Sequence, residues 1–203
     1  MDYYRRHAQA YAHATRDVDM LPLYSRFLQM LPERGRVLDA GCGSGRDTLA
    51  YLRAGYHVTA FDASPELAQL ASQHTGVAVC VADFLNLSEA TSLGVPAGIR
   101  FDGIWACASL LHVAEVDQAQ AWTRLWVWLA PGGVVYASYK LGDDAQPAER
   151  VDELGRAFTD GTPERVARWV RSLADVARLD TWITGDKGER AGVMWLNVLV
   201  FKA

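Results

Sequence analysis

The chain of 203 residues has few cysteines, no long apolar run and no strong charge of one sign. Its three cysteines, Cys42, Cys80 and Cys107, are far apart and form no C-x-x-C pair. That spacing excludes a zinc-finger ligand set and a disulfide framework, and suits a reducing, cytoplasmic setting. No segment approaches the roughly 20 apolar residues of a membrane span. The opening stretch, MDYYRRHAQAYAHATRDVDM, lacks the apolar core of a secretory signal. A net charge of −4, spread along the sequence, offers no basic tract for nucleic acid. Neither an internal repeat nor a low-complexity segment occurs. With half its residues apolar, the chain is long enough for one globular domain over 1–203.

What is present is an alternation of strand-like and helix-like segments. RVLDA (36–40), HVTAFD (57–62), VAVCVAD (77–83), FDGIWACAS (101–109) and VVYASYK (134–140) read as strands. Between them, 46–55 reads as a helix ended by Gly55. Ser64 and Pro65 open a second helix as N-cap and first residue. NLSEATSLGVPAGIR (86–100) reads as a loop or short helix. Val113 to Ala130 reads as a Trp-rich helix stopped by Pro131-Gly132-Gly133. GDDAQPAER is loop-like, and Thr162-Pro163 starts a helix to about Ala174. VARLDTWIT (176–184) and VMWLNVLVF (193–201) then follow as two strands joined by GDKGERAG. This order predicts a doubly wound α/β fold, a parallel sheet with helices on both faces and an antiparallel strand at one edge.

The most informative stretch is VLDAGCGSGRD, Val37 to Asp47. Glycine-rich turns after a first strand hold nucleotides. The dinucleotide fingerprint G-x-G-x-x-G needs a small sixth residue for close helix packing. Here the sixth position is Arg46 and the spacing is G-x-G-x-G, which disfavours NAD and a dinucleotide-dependent oxidoreductase. Asp39 beside the turn would repel a pyrophosphate and suit an ammonium group. S-adenosylmethionine carries an amine, a carboxylate and a sulfonium, and no phosphate. Asp39 could serve its amine, and backbone N–H groups around Gly43 its carboxylate. Asp62, 23 residues after Asp39, could accept both ribose hydroxyls. Asp83 could accept the adenine amino group while the Phe84 N–H reaches a ring nitrogen. Asp47 reads only as a first-turn acid favoured by the helix dipole.

The successive motifs VLDAGCGSGRD, FDAS, VADF, FDGIWACASLLHV and LAPGGVVYASYK resemble those of class I S-adenosylmethionine-dependent methyltransferases, closest to the small bacterial tellurite-resistance-like group. The resemblance covers about residues 36–140, with WLNVLVFK similar to the last strand. It implies a Rossmann-like seven-stranded sheet of order 3-2-1-4-5-7-6, strand seven antiparallel. It also implies a helical lid over 1–30, a cofactor-binding core over 36–140 and a C-terminal part over 141–203. The implied cofactor contacts are Asp39, Gly41, Cys42, Gly43, Arg46, Asp62, Ala63, Asp83, Phe84, Ala106 and Cys107. Acceptor-side candidates are Tyr4, Tyr11, Ser109, Tyr139, Lys140 and Trp195. His112 follows strand four and has the pKa class of a general base. The implied reaction is methyl transfer from S-adenosylmethionine to a thiol, chalcogen oxyanion or small metabolite, with no metal, by a monomer or homodimer. A tRNA wobble-base methyltransferase and a non-catalytic S-adenosylmethionine-binding partner protein are the alternatives.

Overall fold

The computed structural model describes residues 2–87, 90–188 and 192–203. Residues 88–89 of the 86–100 loop and 189–191 of the GDKGERAG loop lie outside them. The main sheet consists of β1 (Arg36–Ala40), β2 (His57–Asp62), β3 (Val79–Val81), β4 (Phe101–Ala106), β5 (Leu129–Lys140), β8 (Val176–Gly185) and β9 (Met194–Lys202). Its order is β3-β2-β1-β4-β5-β9-β8. The first five strands run parallel, and β9 is antiparallel to both β5 and β8. This is the expected 3-2-1-4-5-7-6 arrangement with one small hairpin, β6 (Glu149–Val151) and β7 (Ala157–Thr159), inserted before the last two strands.

Helices cover both faces. On one, α2 (Leu21–Leu28), α3 (Arg46–Arg53) and α4 (Pro65–Thr75) pack on Val37, Ala60, Trp105, Tyr136 and Leu199. On the other, α5 (Gln118–Trp126) and α6 (Pro163–Trp169) bury Trp122, Trp126 and Trp169 against Leu38, Ile104, Val135 and Val198. Neighbours along a strand thus serve opposite faces, as a period of two requires. The α4 start is set locally: Ser64 Oγ accepts the Leu67 N–H at 3.3 Å and Pro65 follows it.

Two expectations change. The Trp-rich helix is shorter than 113–130, because the Phe101 N–H donates to Trp128 O and Leu129 is already paired with Phe101. Pro131, Gly132 and Gly133 sit within a register shift of β5 and do not follow a helix. The polar segment before α6 is also more ordered than its composition suggests. It wraps Arg165, 3% exposed, whose guanidinium donates to the carbonyls of Asp143, Gln146 and Asp160.

Candidate active site

The parallel strands end on one edge, where the glycine turn sits. The N–H groups of Gly41 and Cys42 both donate to Phe61 O at 2.9 Å, tying the turn to β2. Gly41 has φ +76°, and a Cβ there would fall 2.6 Å from Ser109 Cβ. Only glycine fits both demands. Asp62 accepts the Gly43 N–H at 2.9 Å and the Ser64 N–H at 2.8 Å. The Gly43 N–H itself is therefore committed to Asp62. Burial pushes the Asp62 carboxyl up, against the pull of those backbone donors.

A cavity of about 630 Å³ opens beyond this turn, lined by Asp62, Ala63, Asp83, Phe84, Ser109 and the two glycines Gly41 and Gly43. Asp83 lies just past β3 and accepts the Leu85 N–H at 2.9 Å and Asn86 Nδ2 at 2.7 Å. Phe84 packs edge-on to Phe61 with centroids 5.4 Å apart. Ser109 donates to Ala40 O at 2.7 Å.

A second cavity of about 560 Å³ shares a wall with the first, and Cys42, Arg46, Cys107, Lys140, Phe158 and Trp195 are among its lining. Asp47 also faces it and is far more than a first-turn acid. It is 6% exposed and accepts Tyr24 Oη at 2.5 Å, Trp105 Nε1 at 2.7 Å and Arg46 Nε at 2.5 Å. Those donors hold its carboxyl below the usual range despite burial. Arg46 lines the cavity with part of its fork already on Asp47.

Four expected site residues are placed otherwise. Asp39 lines neither cavity; it is 2% exposed and accepts Thr48 Oγ1 at 2.5 Å. Burial, with the Asp47 carboxylate nearby, pushes it up to about 8. Ala106 is fully buried in β4, short of both cavities. Tyr139 is also core: its hydroxyl donates to Gln118 Oε1 at 2.9 Å and accepts Trp122 Nε1 at 3.1 Å. Strand alternation explains this, since Tyr136, Ser138 and Lys140 take the cavity side and Tyr139 the other. His112 lines both cavities, with its ring open to them, but neither nitrogen stands free. Nε2 is 2.9 Å from Tyr4 Oη and Nδ1 is 3.0 Å from Ala157 O. This assigns Nδ1–H to the carbonyl and makes Nε2 the acceptor of the tyrosine proton. The protein packed around the cavity holds the imidazole down, to about 4. A neutral, doubly bonded ring replaces the expected free base.

Helix α1 (Asp2–Arg16) roofs both cavities. Tyr11 lies over Gly43, where a Cβ would be 3.3 Å from its ring. Thr15 Oγ1 stands 3.2 Å from Ser44 Oγ, and Arg46 Nη1 donates to Thr15 O at 3.4 Å. At the other end Tyr4 meets His112, and the helix breaks at His7 (φ −122°, ψ 20°). Tyr4→Phe removes the hydroxyl's bond to His112 and its contact with Arg156. We expect ligand affinity to fall about threefold to tenfold, with the melting temperature nearly unchanged. Calorimetric titration checks this, and equal affinity would separate the tyrosine from closure.

Residues 37–133 match the methyltransferase domain family. The chain carries a class I methyltransferase domain. This methyltransferase domain superposes on the crystal structure of a Burkholderia thailandensis 1,6-didemethyltoxoflavin-N1-methyltransferase, with bound 1,6-didemethyltoxoflavin and S-adenosylhomocysteine. The TM-score is 0.73 at 26% identity, covering 100% of this chain and 88% of that one. A ubiquinone biosynthesis O-methyltransferase of Xanthomonas campestris pv. campestris (strain B100) is 30% identical over 149 residues, 68% of this chain and 61% of that protein. A TehB-like methyltransferase structure from Corynebacterium glutamicum, at 19% identity and TM-score 0.67 over 98% of this chain and 99% of that one, shares the fold. The chain spans about half to three fifths of the length of the curated relatives it matches.

S-adenosylmethionine is the cofactor of such a domain, and the residues of the methyltransferase domain fit it. The first cavity sets a carboxylate, Asp62, beside the glycine turn, where hydroxyls are welcome and a pyrophosphate is repelled. Among the described residues no cluster of three His, Cys, Asp or Glu side chains could hold a metal, and no helix is long and apolar enough to cross a membrane.

Proposed function

We propose that this chain transfers the methyl group of S-adenosylmethionine to a small-molecule acceptor. The observation that carries this reading is the pair of adjoining cavities beneath one helix, α1. In it, Asp62 receives the ribose hydroxyls, Asp83 and Phe84 the adenine, and Arg46 the methionine carboxylate. His112, in the shared wall, and Cys107, in the second cavity, bring the methyl-bearing sulfur against the second cavity. Asp39 acts through Thr48 as a support of the glycine turn.

The sulfonium, when bound, supplies an activated methyl group, so the protein needs to align and dehydrate. Alignment of two bound reactants is worth roughly 7–11 kcal/mol. Tyr4 and Tyr11 lie against both cavities, and a covering helix that limits water at the reacting centre suits a small acceptor better than a tRNA stem. A non-catalytic binding partner would have no use for the second cavity. The kinship with TehB-like proteins rests on the fold alone at 19% identity, so the reading names no chalcogen.

The first test is thermal unfolding with S-adenosylhomocysteine and with NAD. At a hundredfold excess over its dissociation constant, a ligand of the native state stabilises by about 2.7 kcal/mol. S-adenosylhomocysteine is expected to raise the melting temperature and NAD to leave it unmoved. The reverse pattern would overturn the assignment.

A further inference from the structure

The turn between β6 and β7 carries an acid, Asp152, that lines neither cavity. Its Oδ1 accepts the backbone N–H groups of Leu154 and Arg156, at 3.0 and 2.9 Å, and so shapes the turn. Its Oδ2 takes the Arg156 side chain, accepting Nε at 2.8 Å and lying 2.7 Å from Nη2. One oxygen serves the backbone, and the other fixes the plane and heading of a guanidinium. An ion pair this close to the surface adds little to the stability of a fold. What it does is aim Arg156.

The guanidinium is aimed at α1. It contacts the Tyr4 hydroxyl and lies over the Tyr3 ring, 5.1 Å from its centroid. Tyr4 Oη also stands 2.9 Å from His112 Nε2, and His112 Nδ1 is 3.0 Å from Ala157 O. Ala157 follows Arg156 in the chain. The contacts therefore close on themselves, from Arg156 to Tyr4, His112 and Ala157, and the hairpin supplies both ends. Tyr4 is the member of this clasp that comes from the covering helix.

Helix α1 is held differently at its two ends. After the break at His7, Thr15 meets Ser44 and accepts from Arg46, which ties the later turns to the glycine turn. Before the break, the ring and hydrogen-bond contacts that Tyr3 and Tyr4 make outside α1 go, among the described residues, to Arg156 and His112. The first turn thus hangs on the hairpin, and His7 marks where it pivots.

We propose that Asp152 is a positioning residue for closure over the bound cofactor. It sets Arg156, Arg156 and His112 hold Tyr4, and Tyr4 holds the first turn of α1 against both cavities. This rests on the methyl-transfer reading above, which puts S-adenosylmethionine beneath that helix. Asp152 touches neither reactant and acts through Arg156. Without its charge the guanidinium loses its heading, the first turn opens more often, and bound cofactor escapes faster.

The test uses the full chain loaded with radiolabelled S-adenosylmethionine and chased with excess unlabelled S-adenosylhomocysteine. Asp152→Asn keeps an oxygen for the Leu154 and Arg156 N–H groups and removes the charged one that holds the guanidinium. Release is expected to be about threefold to tenfold faster, with the melting temperature nearly unchanged. Tyr4→Phe should speed release by a similar factor. Asp152→Asn added to it should change little more, because residues acting through one chain of contacts are not additive. Asp152→Glu keeps the charge and gives up the turn geometry, so it should release more slowly than Asp152→Asn. Arg150→Gln breaks the hairpin's other ion pair, to Asp160, lines neither cavity, and should leave release within about twofold of wild type. Wild-type release from Asp152→Asn would overturn the proposal. So would fully multiplied effects in the double variant, faster release from Asp152→Glu than from Asp152→Asn, or equal acceleration by Arg150→Gln; each would leave Asp152 only shaping the hairpin. If wild-type protein fails to bind S-adenosylhomocysteine in calorimetry, the methyl-transfer reading falls and takes this inference with it. Binding with unaccelerated release from Asp152→Asn removes this inference alone.

Discussion

Asp47→Ala is expected to lower unfolding stability by about 3–5 kcal/mol, the range for breaking a buried ion pair from one side. Three different elements converge on this carboxylate. Tyr24 comes from α2, Trp105 from β4 and Arg46 from the start of α3. Alanine would leave a guanidinium, an indole N–H and a phenol without their acceptor inside the protein. Urea denaturation measures the loss, and a change under about 0.5 kcal/mol would contradict the assignment. The pH dependence has a definite sign. The folded carboxyl of Asp47 is held below its ordinary value, so its contribution is present above about pH 4 and lost as pH falls through the lowered value. Its neighbour Asp39 acts the other way. With a folded value near 8, its contribution declines as pH rises from about 4 and is gone above 8. Ligand-free protein should therefore weaken towards both acid and alkali, and Asp39→Asn should flatten the alkaline side.

The second large effect is on cofactor affinity. Asp62→Ala should weaken S-adenosylhomocysteine binding by about a hundredfold or more, since hydrogen bonds to a charged group contribute roughly 1.5–3 kcal/mol each. The carboxylate has two duties. Under the proposed reading it receives the ribose, and it already fixes Gly43 and Ser64 by their backbone N–H groups. Asp62→Asn keeps one acceptor oxygen and should fall between the two. Calorimetric titration with circular dichroism as a folding check decides; unchanged affinity would take the ribose away from Asp62.

The parallel core was legible because βα alternation, caps and glycines are local signals. Ser64-Pro65 marked α4, and the strand-end acids marked the edge of the sheet that carries a ligand. The order of the sheet came with the family motifs and not from any periodicity. What stayed hidden depends on contacts between distant segments. Nothing near Asp47 in sequence announces that Trp105 will reach it across 58 positions. The β6–β7 hairpin is three residues a side and mostly exposed, too short for an alternation pattern, yet it supplies Arg156, Ala157 and Phe158 to the site. Tyr139 was readable in principle, because a strand that turns Lys140 towards the cavity must turn Tyr139 away. His112 was found by its place after β4, but its two partners come from the first helix and the hairpin.

Tyr4 and Tyr11 belong to the walls of both cavities, and one helix carries them. If donor and acceptor occupy these cavities as proposed, α1 is a door common to both. Under the proposed reaction, any excursion of that helix that frees the spent donor also frees the methylated product. An acceptor with several methylatable positions would have to leave and return between transfers. Such an enzyme is distributive, and partly methylated species would accumulate in solution before fully methylated ones.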